Sequence, residues 1–349
     1  MPEYHALERF SERVERASGG RFIITPYSAG SITSGSMMWE AVRDGVIEMG
    51  QGWTCWWVGK TADYGDAHRA LVGSPWMLGN IVESMAWWYE DDGLEILNKW
   101  YNPMNILYRP AWWLGSDMGM LTTFEATSLD DFAGKRFRSC PALYVFTEAA
   151  VADAGYVSTY DPVVPEEIFE SLAKGLLDAC EWTVPSACWA AKWHEYCTHL
   201  IVPGIWGGPA QTGDFIIGLD AYNALPDDLQ EILEAEIRYF NMDQTLSGQV
   251  LDAEAMVHLA EYGIIINTWS DEDMVHWMNG AAKLHEEYYT ALPAYAEVYE
   301  SLLSFKLKMQ QFGATQGARY YDRHDQDRVA FWPPGFEKPD WYTEAHPTW

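Results

Sequence analysis

The stretch LLDACEWTVPSACWA (176–190) ends an apolar run on one carboxylate, Glu181, followed by Trp182 and a turn at Pro185. A carboxylate that closes a core run is either a solvated strand end or a ligand for a hard cation, which takes oxygen donors. The other reactive side chains form no catalytic pattern. There is no GxSxG elbow, no HExxH and no P-loop, the nine histidines lack metal spacing, and no base tuned near neutral pH is apparent. The five cysteines, Cys55, Cys140, Cys180, Cys188 and Cys197, are odd in number and contain no CxxC pair, which sets a zinc site aside. They read as free buried thiols, with one bridge among 180, 188 and 197 left open for an exported chain. Cys180 and Cys188 are the least informative residues of the stretch.

An internal echo positions Glu181. WEAVRDGVIEMGQG (39–52) and FESLAKGLLDACEW (169–182) superpose without a gap, with Gly45 on Gly175 and Gln51 on Glu181. Each predicts a helix stopped by glycine and followed at once by a short strand. Pro165, Glu166 and Glu167 suit the start of the second helix, where a fixed φ and negative charge are both favourable. A looser echo, GGRFIITPYSAG (19–30) and AGKRFRSCPALY (133–144), lies upstream of each. Two such units predict two similar α/β lobes, and in open α/β sheets ligands sit beyond the carboxyl ends of the strands. Gln51 and Glu181 then face the place where the lobes meet. Trp53, Trp56 and Trp57 from the first half, with Trp182 and Trp206 from the second, wall a dry cleft suited to a small acid with an apolar or aromatic tail. Most of the nineteen tryptophans are expected in core packing.

The remaining elements frame these units. Leu7, Phe10 and Val14 share one face of an N-terminal helix that Gly19 and Gly20 end, and a strand, RFIITPYS (21–28), follows directly. No leader precedes that helix, and the strand's missing partner implies a first strand left off this chain. NIVESMAWWYEDDG (80–93) predicts a helix capped by Asn80, with Glu83 in the capping box and Gly93 as its stop. Residues 225–263 predict one long helix from Pro226, or two broken near Ser247 and Gly248, long enough to brace both lobes. A strand, IIINTW (264–269), a helix capped by Ser270, further helices and an irregular tail rich in proline and aromatics complete the chain.

With 349 residues, 48% hydrophobic and 21% charged, the chain can bury two separate cores. No run approaches about 18 uncharged apolar residues, so no membrane-spanning helix is predicted. Acids outnumber bases 51 to 22, for a formal charge of −29. Spread over solvated helix faces, this charge repels phosphate backbones and anionic lipid and excludes nucleic acid as a partner.

In order and spacing, GGRFIITPYSAG, WEAVRDGVIEMG, SLDDFAGKRFR (128–138), SLAKGLLDACEW and YNALPDDLQEIL (222–233) resemble the extracytoplasmic solute receptors of TRAP-type transporters, the dicarboxylate-receptor family, over about residues 7–290. WWVGK (56–60), DDGLEIL (91–97), EW ahead of Pro185, and PGIWGGP (203–209) resemble the branch that binds 2-oxo or 2-hydroxy monocarboxylates through a metal ion. The resemblance implies a type II periplasmic-binding-protein-like fold of two hinged α/β lobes. Lobe I takes residues 1–115 with about 208–245, lobe II takes 116–207 with about 246–290, and 291–349 form C-terminal helices and the tail. It also implies a periplasmic location, delivery of a small organic acid to a membrane permease, and room for a homodimer through the C-terminal helices.

The same resemblance implies the site. Arg138, closing KRFR, takes the place of the arginine that grips the substrate carboxylate, and a guanidinium's planar fork matches a carboxylate in two parallel bonds. Its bland alternative is a surface arginine paired with Asp131. Asp117 in GSDMGM stands where the branch carries a glutamine, and with Glu181 and the Trp182 carbonyl it makes a hard-cation site. Two carboxylates resist sharing a site unless a cation offsets them, and the extra charge at Asp117 favours Ca²⁺ over Na⁺. The branch's acid in the PGxWxGG loop is absent, since Ile205, Trp206, Gly207 and Gly208 stand there. Two functions follow from different classes: a binding module that closes on a carboxylate, or a metal-dependent enzyme that activates water on one. The lack of a base favours the first.

Overall fold

Two β-sheets divide the chain, in a computed structural model that describes residues 2–59, 66–71, 77–114, 119–140, 142–182, 184–202, 212–316, 329 and 331–339. The first unit opens with α1 (Pro2–Ala17) and α2 (Met38–Arg43), enters β1 (Met49–Trp53), and continues through α3 (Ile81–Glu90) and α4 (Gly93–Tyr101) into β2 (Ile106–Trp113). The second unit runs β3 (Leu121–Thr122), β4 (Arg136–Arg138), α5 (Tyr144–Asp153), β5 (Thr159–Tyr160), α6 (Pro165–Ala173), β6 (Ala179–Cys180), α7 (Pro185–Ala190) and β7 (His199–Val202). The chain then returns to the first sheet as β8 (Thr212–Gly218) and α8 (Leu219–Asn223). It crosses over in α9 (Asp227–Tyr262), adds β9 (Ile265–Thr268) to the second sheet, and ends in α10 (Asp271–Ala291) and α11 (Pro293–Gln316).

The first sheet is antiparallel, in the order β1-β8-β2, with Gln51 opposite Phe215 and Tyr108 opposite Ile216. The second is mixed, in the order β5-β4-β6-β3-β7-β9, and there β4 runs parallel to β6 with Arg138 beside Cys180. Both units are therefore α/β lobes. The carboxyl-end rule for open parallel sheets applies only to the second, because no strand of the first sheet is parallel to its neighbour. Each sheet is covered on both faces. In the first, Trp39, Trp57, Trp87 and Trp113 pack on one side, and Phe10, Phe215, Ile237 and Phe240 pack on the other. In the second, Phe137, Phe146 and Trp277 oppose Ile168, Cys188 and Leu259.

The long helix is a single rod of 36 residues, unbroken at Ser247 and Gly248, that starts after Pro226 and ends on a left-handed Gly263. It braces both lobes. Leu233 and Ile237 sit under the first sheet, the Arg109 guanidinium meets Glu234 in two bonds of 2.8 and 2.6 Å, and the Asn241 amide donates to the Pro110 carbonyl. Farther along, Leu259 joins the second lobe's core, and Asp252 accepts from the Ser186 hydroxyl at 2.5 Å and its N–H at 3.1 Å. Pro110 can stand in β2 because that strand is an edge, where a missing N–H breaks no ladder. Among the described residues, no helix is long and apolar enough to cross a membrane.

Two local expectations are corrected. Residues 22–28 keep the alternating burial of an extended chain, with Phe22 and Ile24 against the core, but form no ladder with any described strand. Gly93 does not stop a helix; it starts one. The Asn80-capped α3 ends at Glu90, and Gly93 opens α4, packed so close to Trp87 that a Cβ there would lie 2.9 Å from the indole.

Candidate binding site

The echoed segments deliver their strands by the same turn. In α2 the Val46 N–H returns to the Ala41 carbonyl at 2.8 Å, and in α6 the Leu176 N–H returns to the Ser171 carbonyl at 2.8 Å. Gly45 and Gly175 hold left-handed φ values of 70° and 66°, which a residue with a side chain adopts only with strain. Glu181 thus emerges directly after β6. The matching Gln51 lies in the middle of β1, two residues before that strand ends, and its amide donates to the Gly52 carbonyl at 3.3 Å. The equivalence is one of sequence position, and it does not put both polar groups at strand ends.

Arg138 and Glu181 sit side by side at the ends of parallel β4 and β6. Arg138 is 5% exposed; its Nη1 donates to the Glu181 carbonyl at 2.8 Å, its Nε donates to the Val163 carbonyl at 3.3 Å, and its guanidinium lies 4.9 Å from the centre of the Trp182 ring. Asp131, the bland partner, is spent elsewhere, capping the turn at Ser128. No bond of Arg138 Nη2 is made among the described residues, which leaves part of the fork for a ligand. Fully buried Glu181 turns Oε2 to the Ser139 hydroxyl (2.9 Å) and the Cys140 N–H (3.0 Å), while Oε1 has no partner. Burial pushes its carboxyl up to about 7, against the opposing pull of Arg138 and these two donors. A buried acceptor left bare is costly. A cation taking Oε1 as an oxygen ligand would answer it, as would the proton that a carboxyl raised to about 7 retains; among the described residues no group of three or more His, Cys, Asp or Glu gathers here, so Glu181 would be one ligand of a hard ion.

The facing wall comes from the other lobe. Trp53, Cys55 and Trp56 meet Arg138, Cys140 and Trp182 around a narrow void of about 10 Å³. Trp53 stands edge-on to Trp112 at 5.0 Å, and Trp56 packs against the cores of both lobes. Trp57 does not join them. It is 1% exposed in the first lobe's core, tilted against Trp39, with Gly52 lacking the side chain that would strike its ring at 2.8 Å. The short helical turn Thr54–Trp56 that follows β1 carries this third indole into the core. Asp117 and Trp206 lie outside the described residues.

Sequence reasoning missed four contributors. Ser139 and Cys140 fix Glu181, the Val163 carbonyl orients Arg138, and Cys55 and Cys140, read from sequence only as free buried thiols, line the void. The signal was adjacency: Ser139 and Cys140 directly follow Arg138, and Cys55 lies between two of the wall tryptophans. All five cysteines are free and buried, so the bridge left open among 180, 188 and 197 is not made.

Comparison with known proteins decides the class. The model of the DctP family, bacterial extracellular solute-binding protein family 7, matches residues 1–291. The chain belongs to this family. As a DctP-family protein it is an extracytoplasmic solute receptor of the TRAP type and not an enzyme. It is 28% identical over 301 residues, 86% of this chain and 79% of the other, to the monocarboxylate 2-oxoacid-binding periplasmic protein of Nostoc sp.. A TRAP solute-binding protein of Bordetella bronchiseptica, with copurified calcium and picolinate, has the same fold at a TM-score of 0.79, 20% identity and 90% coverage of both chains. One from Pseudoalteromonas atlantica, with sodium and pyruvate, superposes at 0.78, with 23% identity and coverage of 90% and 92%. The DctP assignment gives the chain a periplasmic setting.

Proposed function

We propose that this DctP-family receptor captures a small monocarboxylate of the 2-oxo or 2-hydroxy class between its lobes and delivers it to a TRAP-type membrane permease. The observation that carries the reading is the pairing of a buried, partly uncommitted Arg138 fork with a buried, partly bare Glu181 beneath indoles from the opposite lobe. Arg138 would hold the carboxylate. Glu181, with Asp117 and the Trp182 carbonyl, would hold a metal ion, and the ion would supply a positive site for the carboxylate and its 2-oxygen. Trp53, Trp56 and Trp182 exclude water, which strengthens each polar contact inside. Calcium is preferred over sodium, for the reason of charge given above.

The 2-oxoacid binding of the Nostoc relative and the pyruvate of the Pseudoalteromonas protein support this class, and the picolinate of the Bordetella protein supports a small monocarboxylate. Intrinsic tryptophan fluorescence, titrated with pyruvate, lactate, longer 2-oxo acids and picolinate, tests it, in calcium, in sodium and in chelator. Saturable binding that chelator weakens is expected. No response to any organic acid refutes the reading, and binding indifferent to chelator removes the metal from it. Light scattering of the same samples tests pairing through the C-terminal helices.

A further inference from the structure

We infer that Cys55 and Cys140 form a redox latch across the cleft: joined in one disulfide, they hold the two lobes shut over the bound acid. The inference rests on the binding reading above for what lies beneath the latch, and on thiol geometry for the latch itself. Cys55 sits on the short turn Thr54–Trp56 that follows β1 of the first sheet, yet its side chain packs in the second lobe's core beside Phe137 and Cys140. Cys140 follows the strand that carries Arg138. The two thiols belong to one buried cluster and line the same void as Arg138 and Trp182. The other three cysteines, at 180, 188 and 197, share a single core of the second lobe, so no bond among them could join the lobes.

The closed arrangement both presents and protects the pair. Cys55 and Cys140 are 4% and 6% exposed, and the Cys55 thiol is pushed up by the neighbouring Cys140 and by burial, so with the lobes together neither reacts with an external oxidant. Oxidation then follows the opening cycle. With the lobes apart, the thiolate of one cysteine attacks a small-molecule or protein disulfide, forms a mixed disulfide and expels one thiolate of the oxidant. With the lobes together again, the thiolate of the second cysteine attacks the protein sulfur of that mixed disulfide and expels the oxidant's other half. In sum two thiols give up two protons and two electrons, one Sγ–Sγ bond forms, and the oxidant's disulfide is reduced to two thiols. The setting of a DctP-family receptor is one where disulfides persist. An acid that favours closure speeds the second step, so the latch sets on loaded receptor.

The test uses the full chain, purified in reductant and then exposed to oxidised glutathione with pyruvate and calcium, or with neither. Non-reducing peptide mapping should find the peptides of Cys55 and Cys140 linked, sooner when acid and calcium are present. Pyruvate release, followed by tryptophan fluorescence on dilution, should slow by on the order of tenfold or more in oxidised protein and recover in reductant, since a tether that opposes opening by about 1.4 kcal/mol already gives that factor. Release from Cys55→Ser and Cys140→Ala should not respond to oxidant. Oxidation that never links Cys55 to Cys140, or a link that leaves release unchanged, overturns the latch. A link formed in protein that binds none of the acids refutes the binding reading instead, and acid binding without the link refutes the latch alone.

Discussion

Replacing Arg138 by lysine keeps the charge and removes the fork. In the native site two of the three guanidinium nitrogens already serve backbone carbonyls, Nη1 on Glu181 at 2.8 Å and Nε on Val163 at 3.3 Å. A lysine offers one ammonium, so reaching for the acid leaves those carbonyls bare, and serving the carbonyls leaves the acid unpaired. A charge-assisted bond is worth about 1.5–3 kcal/mol, which converts to a dissociation constant raised roughly tenfold to two-hundredfold. Loss of the planar contact with Trp182 moves the result in the same direction. Calorimetric titration of pyruvate into wild type and Arg138→Lys in excess calcium measures the constant, and thermal unfolding of both proteins measures the structural cost. Unchanged affinity, within about twofold, together with a lowered unfolding temperature would show that Arg138 is a structural link between β4 and β6 and grips no substrate.

Glu181 predicts a pH response. Its carboxyl rises from the usual 4.5 to about 7, so between those values the native chain keeps a proton that the unfolded chain has lost. Stability of the metal-free protein should therefore fall as pH rises through this window and level off above it, and Glu181→Gln should flatten the urea midpoints. Calcium affinity should rise over the same window, because the ligand is the ionised form. Trp182→Ala should weaken picolinate more than pyruvate, by about 0.5–1.5 kcal/mol of lost ring contact in competitive titrations; equal losses would remove the aromatic wall from the argument. Gly280→Ala should lower the unfolding free energy measured in urea by about 1–3 kcal/mol, because its Cβ would come within 2.8 Å of the α5 backbone at Ala149 and Ala150. Gly248→Ala, in open space on α9, should instead stabilise by up to about 1 kcal/mol, and a loss there would show that this face is covered.

Much of the fold was legible because it is written in local signals. Gly45 and Gly175 marked two helix ends that share one turn, Asn80 and Ser270 mark caps whose side chains accept from Glu83 and Asp273, and Pro226 marks the start of the brace. What failed depended on partners far along the chain. Strand β8 returns from residue 212 to lie between β1 and β2, and no local pattern shows that it makes the first sheet antiparallel. Residues 22–28 have the alternation of a strand and lack a neighbour to pair with. In the site, Glu181 was found because a charge closing an apolar run is conspicuous, and Arg138 because the family resemblance places the substrate arginine there, whereas Cys55 and Cys140 look like any small core residue until two lobes bring them together. Trp57 was misplaced for a different reason: Trp53 closes β1, Trp56 ends the turn after it and Trp57 comes next, and sequence did not say which of these indoles would turn inward.

A receptor with a formal charge of −29 that captures an anion needs local charge to oppose its own field. Arg138 supplies one positive charge and Glu181, once ionised, cancels it; a bound monocarboxylate then leaves the site with one unbalanced negative charge in surroundings dry enough to push Glu181 to about 7. The bare Oε1 of Glu181 marks where the compensation has to enter. With Asp117 as the second ligand proposed above, Glu181, Asp117 and the acid oppose Arg138 by two charges, which a divalent ion cancels and a monovalent ion halves. On that reckoning the divalent ion proposed above balances the site more fully than a monovalent one would. The metal and the acid are then mutually dependent ligands: each relieves the burial penalty the other would meet alone, and the lobes gain by closing only when both are present.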